Sequence, residues 1–97
     1  MANGLTWSEE ALEDIESIAA YIEKDSPIYA KSVVSKFFEK AELLSDFSEM
    51  GRIVPEINQE NIRELFIYSY RMIYKIEAGN KNIVIIAVIH GRRLLEK

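Results

Sequence analysis

The 97-residue chain has no cysteine, a single histidine, and no apolar run longer than residues 83–89. Without cysteine there can be no disulfide, thiolate nucleophile or cysteine zinc site. One histidine without His-Glu-x-x-His spacing gives no reason to expect a metal or any other cofactor. The longest apolar run falls far short of the ~20 residues that a membrane helix needs. The opening residues, Met1 to Glu10, show neither a basic stretch nor an apolar core, so no signal peptide is read there. These absences predict a small soluble cytoplasmic protein with no membrane partner, and the length predicts one domain over residues 1–97.

What is present is the composition of a folded globule, 48% hydrophobic and 29% charged, well outside the disordered class. The charge is unevenly placed. Residues 1–62 hold five Lys/Arg against thirteen Asp/Glu, whereas residues 63–97 hold seven Lys/Arg against three Glu. A basic segment on an acidic protein of net charge −4 points to a surface that meets something negative.

The patterning predicts an α+β fold. Residues 5–7 alternate as a short edge strand. Ser8 then offers an N-cap followed by Glu9, Glu10 and Glu13, where helix-start charge is favourable. Ala11, Leu12, Ile15, Ile18, Ala19 and Ile22 form an amphipathic stripe. Ser26-Pro27 restarts a helix, with serine as cap and proline at the first helical position. Its stripe is Ala30, Val33, Val34, Phe37, Phe38, Ala41 and Leu44. So short a link makes an antiparallel helical hairpin, and its apolar faces need a flat apolar partner.

That partner is a three-stranded antiparallel meander. Residues 45–55 read as a loop, punctuated by Gly51 and Pro55. Strands follow at 62–68 and 70–77, the second with Tyr70, Met72, Tyr74 and Ile76 on one face and Arg71, Ile73, Lys75 and Glu77 on the other. Ala78-Gly79-Asn80-Lys81 is a hairpin turn, and residues 83–89 are a central strand.

Arg63, Arg71, Arg92 and Arg93 are the first candidates for chemistry. Guanidinium groups at a sheet end can grip phosphate bidentately or the carboxylates of an acidic partner. Each also has a plainer reading as a solvated or salt-bridged arginine. Arg71 stands out because it lies mid-strand, opposite the Tyr70/Tyr74 row. His90 follows the central strand and precedes Gly91, where a site would open, and could act as acid or base on a 2′-hydroxyl. A structural or partner-contacting histidine is the alternative. Tyr68, Tyr70 and Tyr74 could stack on bases or be half-buried packing. Ile73 and Lys75, on the face away from the helices, could meet a partner or a second copy.

Trp7-Ser8 with Ala11, Asp14, Ile15, Ile18, Tyr21 and Ile22, then Gly51-Arg52, Arg63-Glu64-Leu65, Tyr70-Arg71-Met72-Ile73-Tyr74 and His90-Gly91-Arg92-Arg93 together resemble the RelE/ParE superfamily, toxins of type II toxin–antitoxin pairs. The series spans nearly the whole chain, although no single motif in it is specific. The resemblance implies a helical hairpin on a small antiparallel sheet, matching the residue-level reading. It also implies two mechanisms. RelE-like members are ribosome-dependent mRNA endonucleases; here Arg71 and Arg93 match their phosphate-binding arginines, with His90 as acid or base. The tyrosine expected a few residues beyond Arg93 is missing from Leu94-Leu95-Glu96-Lys97. The strand that is lysine-rich in those enzymes is here Asn61-Ile62-Arg63-Glu64-Leu65, without lysine. The His-Gly-Arg-Arg ending looks more like ParE-type members, which poison DNA gyrase. Partner-binding residues on that reading are Arg63, Arg71, Ile73, Lys75, Arg92 and Arg93, serving gyrase and a cognate antitoxin in a hetero-oligomer. A third possibility is a non-toxic module that only pairs with an antitoxin.

Overall fold

The computed structural model describes residues 4–77, 79 and 82–93. The helical hairpin forms where the stripes place it. Helix α1 (Glu9–Glu23) starts at Ser8, whose side chain accepts the Ala11 N–H at 3.0 Å, with Glu9 and Glu10 in its first turn. Helix α2 (Pro27–Leu43) starts at Ser26, which accepts the Tyr29 N–H at 3.1 Å. Each cap satisfies an amide that helix geometry leaves without an internal partner. Ala11 and Ile15 of α1, and Ala30, Val33, Phe37 and Ala41 of α2, are buried. Phe38 departs from the periodicity. It is 40% exposed at the edge of the stripe and packs its ring on Trp7, 4.8 Å between centroids.

The sheet has five strands: β1 (Gly4–Trp7), β2 (Arg52–Ile53), β3 (Ile62–Ile67), β4 (Tyr70–Ile76) and β5 (Asn82–His90), in the order β1-β5-β4-β3-β2. The expected meander is β3-β4-β5, and it is extended at both sides. β2 lies inside the stretch that reads as a loop, because two residues between Gly51 and Pro55 are too few to show alternation. β1 runs parallel to β5 at the opposite edge, Leu5 beside Ile83, so the last strand is interior. The hairpin turn expected at Ala78, Asn80 and Lys81 lies outside the described residues. None of the helices among the described residues is long and apolar enough to cross a membrane.

β5 carries a bulge. Its pairing with β4 jumps from Ile73–Ala87 to Tyr74–Ile85, leaving Ile86 as the extra residue. The jump switches the parity of the strand, so that Ile83, Ile85 and then Val88 all face the helices and join one core with Phe37, Leu44, Met72 and Tyr74. β5 also outruns β1, and α1 closes the exposed edge. Ser8 N–H donates to the Ile85 carbonyl at 2.9 Å, and Asp14 Oδ2 accepts the Val88 N–H at 2.9 Å.

The face away from the helices is not open. Val54 and Ile73 are fully buried there, outside the helix-side cluster. The connection between β2 and β3 begins at Val54 and runs along this face, where Glu56 meets Arg71. Ile73 therefore cannot touch a partner, contrary to the sequence-based expectation. On the helix side, Tyr74 ties down the connection between α2 and β2. Its hydroxyl donates to the Ser48 carbonyl at 2.7 Å and accepts the Gly51 N–H at 3.0 Å. A Cβ on Gly51 would lie 2.5 Å from the Glu64 carbonyl and 2.8 Å from that hydroxyl, so only glycine fits.

Candidate functional site

Arg71 sits where alternation places it, opposite the Tyr70/Tyr74 row, yet it is only 4% exposed. Its Nε donates to Glu64 Oε1 at 2.6 Å, and Nη1 and Nη2 donate to the two Glu56 oxygens, each at 2.8 Å. Nη1 also donates to the Arg93 carbonyl at 2.7 Å. Four of the five guanidinium N–H groups are thereby used. Glu64 is itself buried, and its second oxygen accepts from Arg52 Nε at 2.6 Å. The Arg52 guanidinium in turn lies 4.9 Å from the Phe66 ring centroid. The Glu56 carboxylate is the main influence raising the Arg71 pKa, against the burial that lowers it, with Glu64 adding to the rise. The guanidinium stays charged and is spent on carboxylates of its own chain.

The remaining cations are dispersed. Arg63 lies across from Tyr74 and staples loops, Nε to the Glu60 carbonyl at 2.9 Å and Nη1 to the Gly51 carbonyl at 3.0 Å. Lys75 is exposed beside Glu49, Glu60 and Glu77. At the opposite end of the sheet, His90, Arg92 and Arg93 are exposed together. His90 Nδ1 accepts the Arg92 N–H at 3.2 Å, which assigns the proton to Nε2 in the neutral ring. Its ring meets Tyr70 edge-on at 5.8 Å, and Tyr70 meets Phe37 edge-on at 5.8 Å. Burial, helped by Tyr29 and Tyr21, raises the Tyr70 pKa. Tyr68 is exposed beside this corner. The structure thus groups His90, Arg92 and Arg93. It separates them from Arg63 and Lys75, and it puts Arg71 and Ile73 inside.

Sequence reasoning missed Glu56 and Glu64. Glu64 had a signal: a two-residue link between β3 and β4 sets Glu64 diagonal to Arg71 on one face, a favourable cross-strand pair. Glu56 had none, since it arrives from an irregular segment.

The sequence and the fold match known proteins. The model of the ParE toxin of the type II toxin–antitoxin system parDE matches residues 5–95. Among solved structures, the chain is similar to the chromosomal ParDE toxin–antitoxin system from P. aeruginosa, at TM-score 0.73 and 20% identity, covering 92% of this chain and 96% of that one. It is also similar to a free-state arginine mutant of the E. coli toxin RelE, at TM-score 0.66 and 16% identity, covering 95% and 86%. The YoeB dimer from S. aureus gives TM-score 0.63 and 18% identity over 93% and 98%. No curated protein sequence matches. With its fold shared by ParE and RelE structures and its sequence matched by the ParE model from residue 5 to residue 95, the chain belongs to the ParE toxin family of type II toxin–antitoxin systems.

Proposed function

We propose that this toxin stops growth by docking on DNA gyrase and holding its cleaved-DNA state, not by cutting RNA, and that a cognate antitoxin silences it in a hetero-oligomer. The observation that carries this reading is the commitment of Arg71. A strand arginine that stabilised phosphate charge would need free N–H groups, and this one is buried against Glu56 and Glu64. Those two carboxylates also repel an incoming phosphate. Of the candidate partner-binding side chains, those left exposed are His90, Arg92 and Arg93 at one sheet end and Lys75 at the other. Arg92 and Arg93 suit acidic residues of the antitoxin. Arg71 and Ile73 act from beneath, fixing the surface, and Arg63 holds the loops at the far end. The ParDE system from P. aeruginosa is a toxin–antitoxin pair, which supports an antitoxin for this chain. In cells, brief expression should relax plasmid DNA and leave mRNA intact; unchanged supercoiling in growth-arrested cells would refute the gyrase reading.

One observation favours a second reading, a ribosome-dependent mRNA endonuclease. His90 is exposed beside Arg92 and Arg93, an imidazole available for proton transfer next to two guanidinium groups that can hold a phosphate. Mapping of mRNA 5′ ends after induction decides it. Codon-positioned cuts that vanish in His90→Ala would establish cleavage.

A further inference from the structure

Tyr68 holds a backbone conformation that its side chain disfavours. It sits in the two-residue link between β3 and β4 at φ 54°, in the left-handed region where glycine is free and a bulky residue is an outlier. The link is held in place from outside. Gly91 N–H donates to the Ser69 carbonyl at 2.7 Å, and a Cβ on Gly91 would stand 3.0 Å from that oxygen. Strain that persists because its surroundings fix it is characteristic of working sites.

The tyrosine gains little for itself from this. It is 54% exposed, and among the described residues its ring contact is edge-on with Tyr29 at 6.1 Å. Around it, Tyr21, Tyr29 and Phe66 are exposed as well. Lys31 and the Lys36–Glu39 pair line a depression on one side of Tyr68, and His90 and Arg92 line one on the other.

We infer that the corner centred on Tyr68 is a protein-docking surface, and that its occupant is an acidic patch on the cellular target with an apolar group for the tyrosine rim. A rigid, pre-positioned aromatic among cations loses little entropy on binding, and Tyr and Arg dominate the energetics of protein interfaces. Lys31 and Arg92 flank the ring and complement carboxylates. Nucleic acid is the poorer occupant, because the chain carries net charge −4 and Glu39 and Asp25 interrupt any basic track. This inference rests on the toxin reading and adds the place where the target is met.

The test is Tyr68→Gly, with Lys31→Glu/Arg92→Glu as a second variant, compared with the wild-type toxin at matched expression. Growth arrest is the readout, so the result does not depend on the target being gyrase. Tyr68→Gly should melt at or above the wild-type temperature, because the turn is relieved of strain, yet need at least tenfold more protein to arrest growth. The charge-reversed variant should lose a similar factor. Equal toxicity of Tyr68→Gly, or a lower melting temperature, would overturn the inference, as would a fully toxic charge-reversed variant. Binding of a single-stranded oligonucleotide that Tyr68→Gly abolishes would overturn it in favour of nucleic acid. A wild-type chain that leaves growth untouched would overturn this inference and the toxin reading together. Normal supercoiling under a toxic wild type would overturn the gyrase reading alone.

Discussion

Arg71 shows how one residue's surroundings decide its chemistry. A guanidinium removed from water is tolerable only when its charge and its N–H groups are matched, and Glu56 and Glu64 supply both. Glu64→Ala should therefore destabilise the fold by about 3–5 kcal/mol, the usual cost of breaking a buried ion pair on one side. Replacing both partners, Arg71→Met with Glu64→Leu, should cost less than either single change, since Arg52 and Glu56 still reach water. Urea denaturation of the three variants measures this. Tyr74 gives a pH signature. Burial is the main cause raising its pKa above the ordinary 10.0. An acid whose folded pKa is raised contributes stability that is full below the unfolded value and is lost as pH climbs through the folded one. The urea midpoint should thus show no Tyr74-dependent change up to about pH 10 and decline beyond it. Tyr74→Phe should lessen that decline while lowering stability at pH 7 by about 1–3 kcal/mol, because the Gly51 N–H loses its partner. The diagonal of Glu64 and Arg71 follows from a two-residue link at Tyr68-Ser69, which the expected strand over 62–68 shortened by one residue. Burial of Ile73 was not legible, because alternation shows which face a side chain takes and not whether that face is covered.

At the scale of elements, the helical hairpin was readable because two signals agreed, apolar stripes at helical spacing and a serine cap at each start. The sheet was only partly readable. β2 is too short to alternate, and the bulge in β5 was hidden because residues 83–89 are apolar on both parities, so a change of face leaves no trace. The parallel edge formed by β1 depends on pairing across most of the chain, which local pattern cannot show. Where β5 outruns β1, Asp14 replaces a strand neighbour. Asp14→Ala should leave the Val88 amide unpaired, cost about 1–3 kcal/mol and speed hydrogen exchange at Val88, while Asp14→Asn keeps an acceptor and most of the protection. Exchange measured by NMR at that amide checks it. Unchanged protection in Asp14→Ala would mean that the carboxylate does not close this edge.

For the whole molecule, the uneven charge of the sequence does not become one basic face. Arg63 and Lys75 stand among acidic neighbours at one end, Arg71 is neutralised inside, and His90, Arg92 and Arg93 share the other end with the tyrosine rim. What remains is a small cationic, aromatic corner on an acidic protein. It is suited to docking on a protein and poorly suited to tracking a polyphosphate chain. The most direct measurement incubates purified toxin with DNA gyrase, ATP and negatively supercoiled plasmid, then stops the reaction with detergent and protease. The expected result is linear plasmid that increases with toxin. Plasmid that stays supercoiled and intact at excess toxin, from a preparation that arrests growth in cells, would contradict the account.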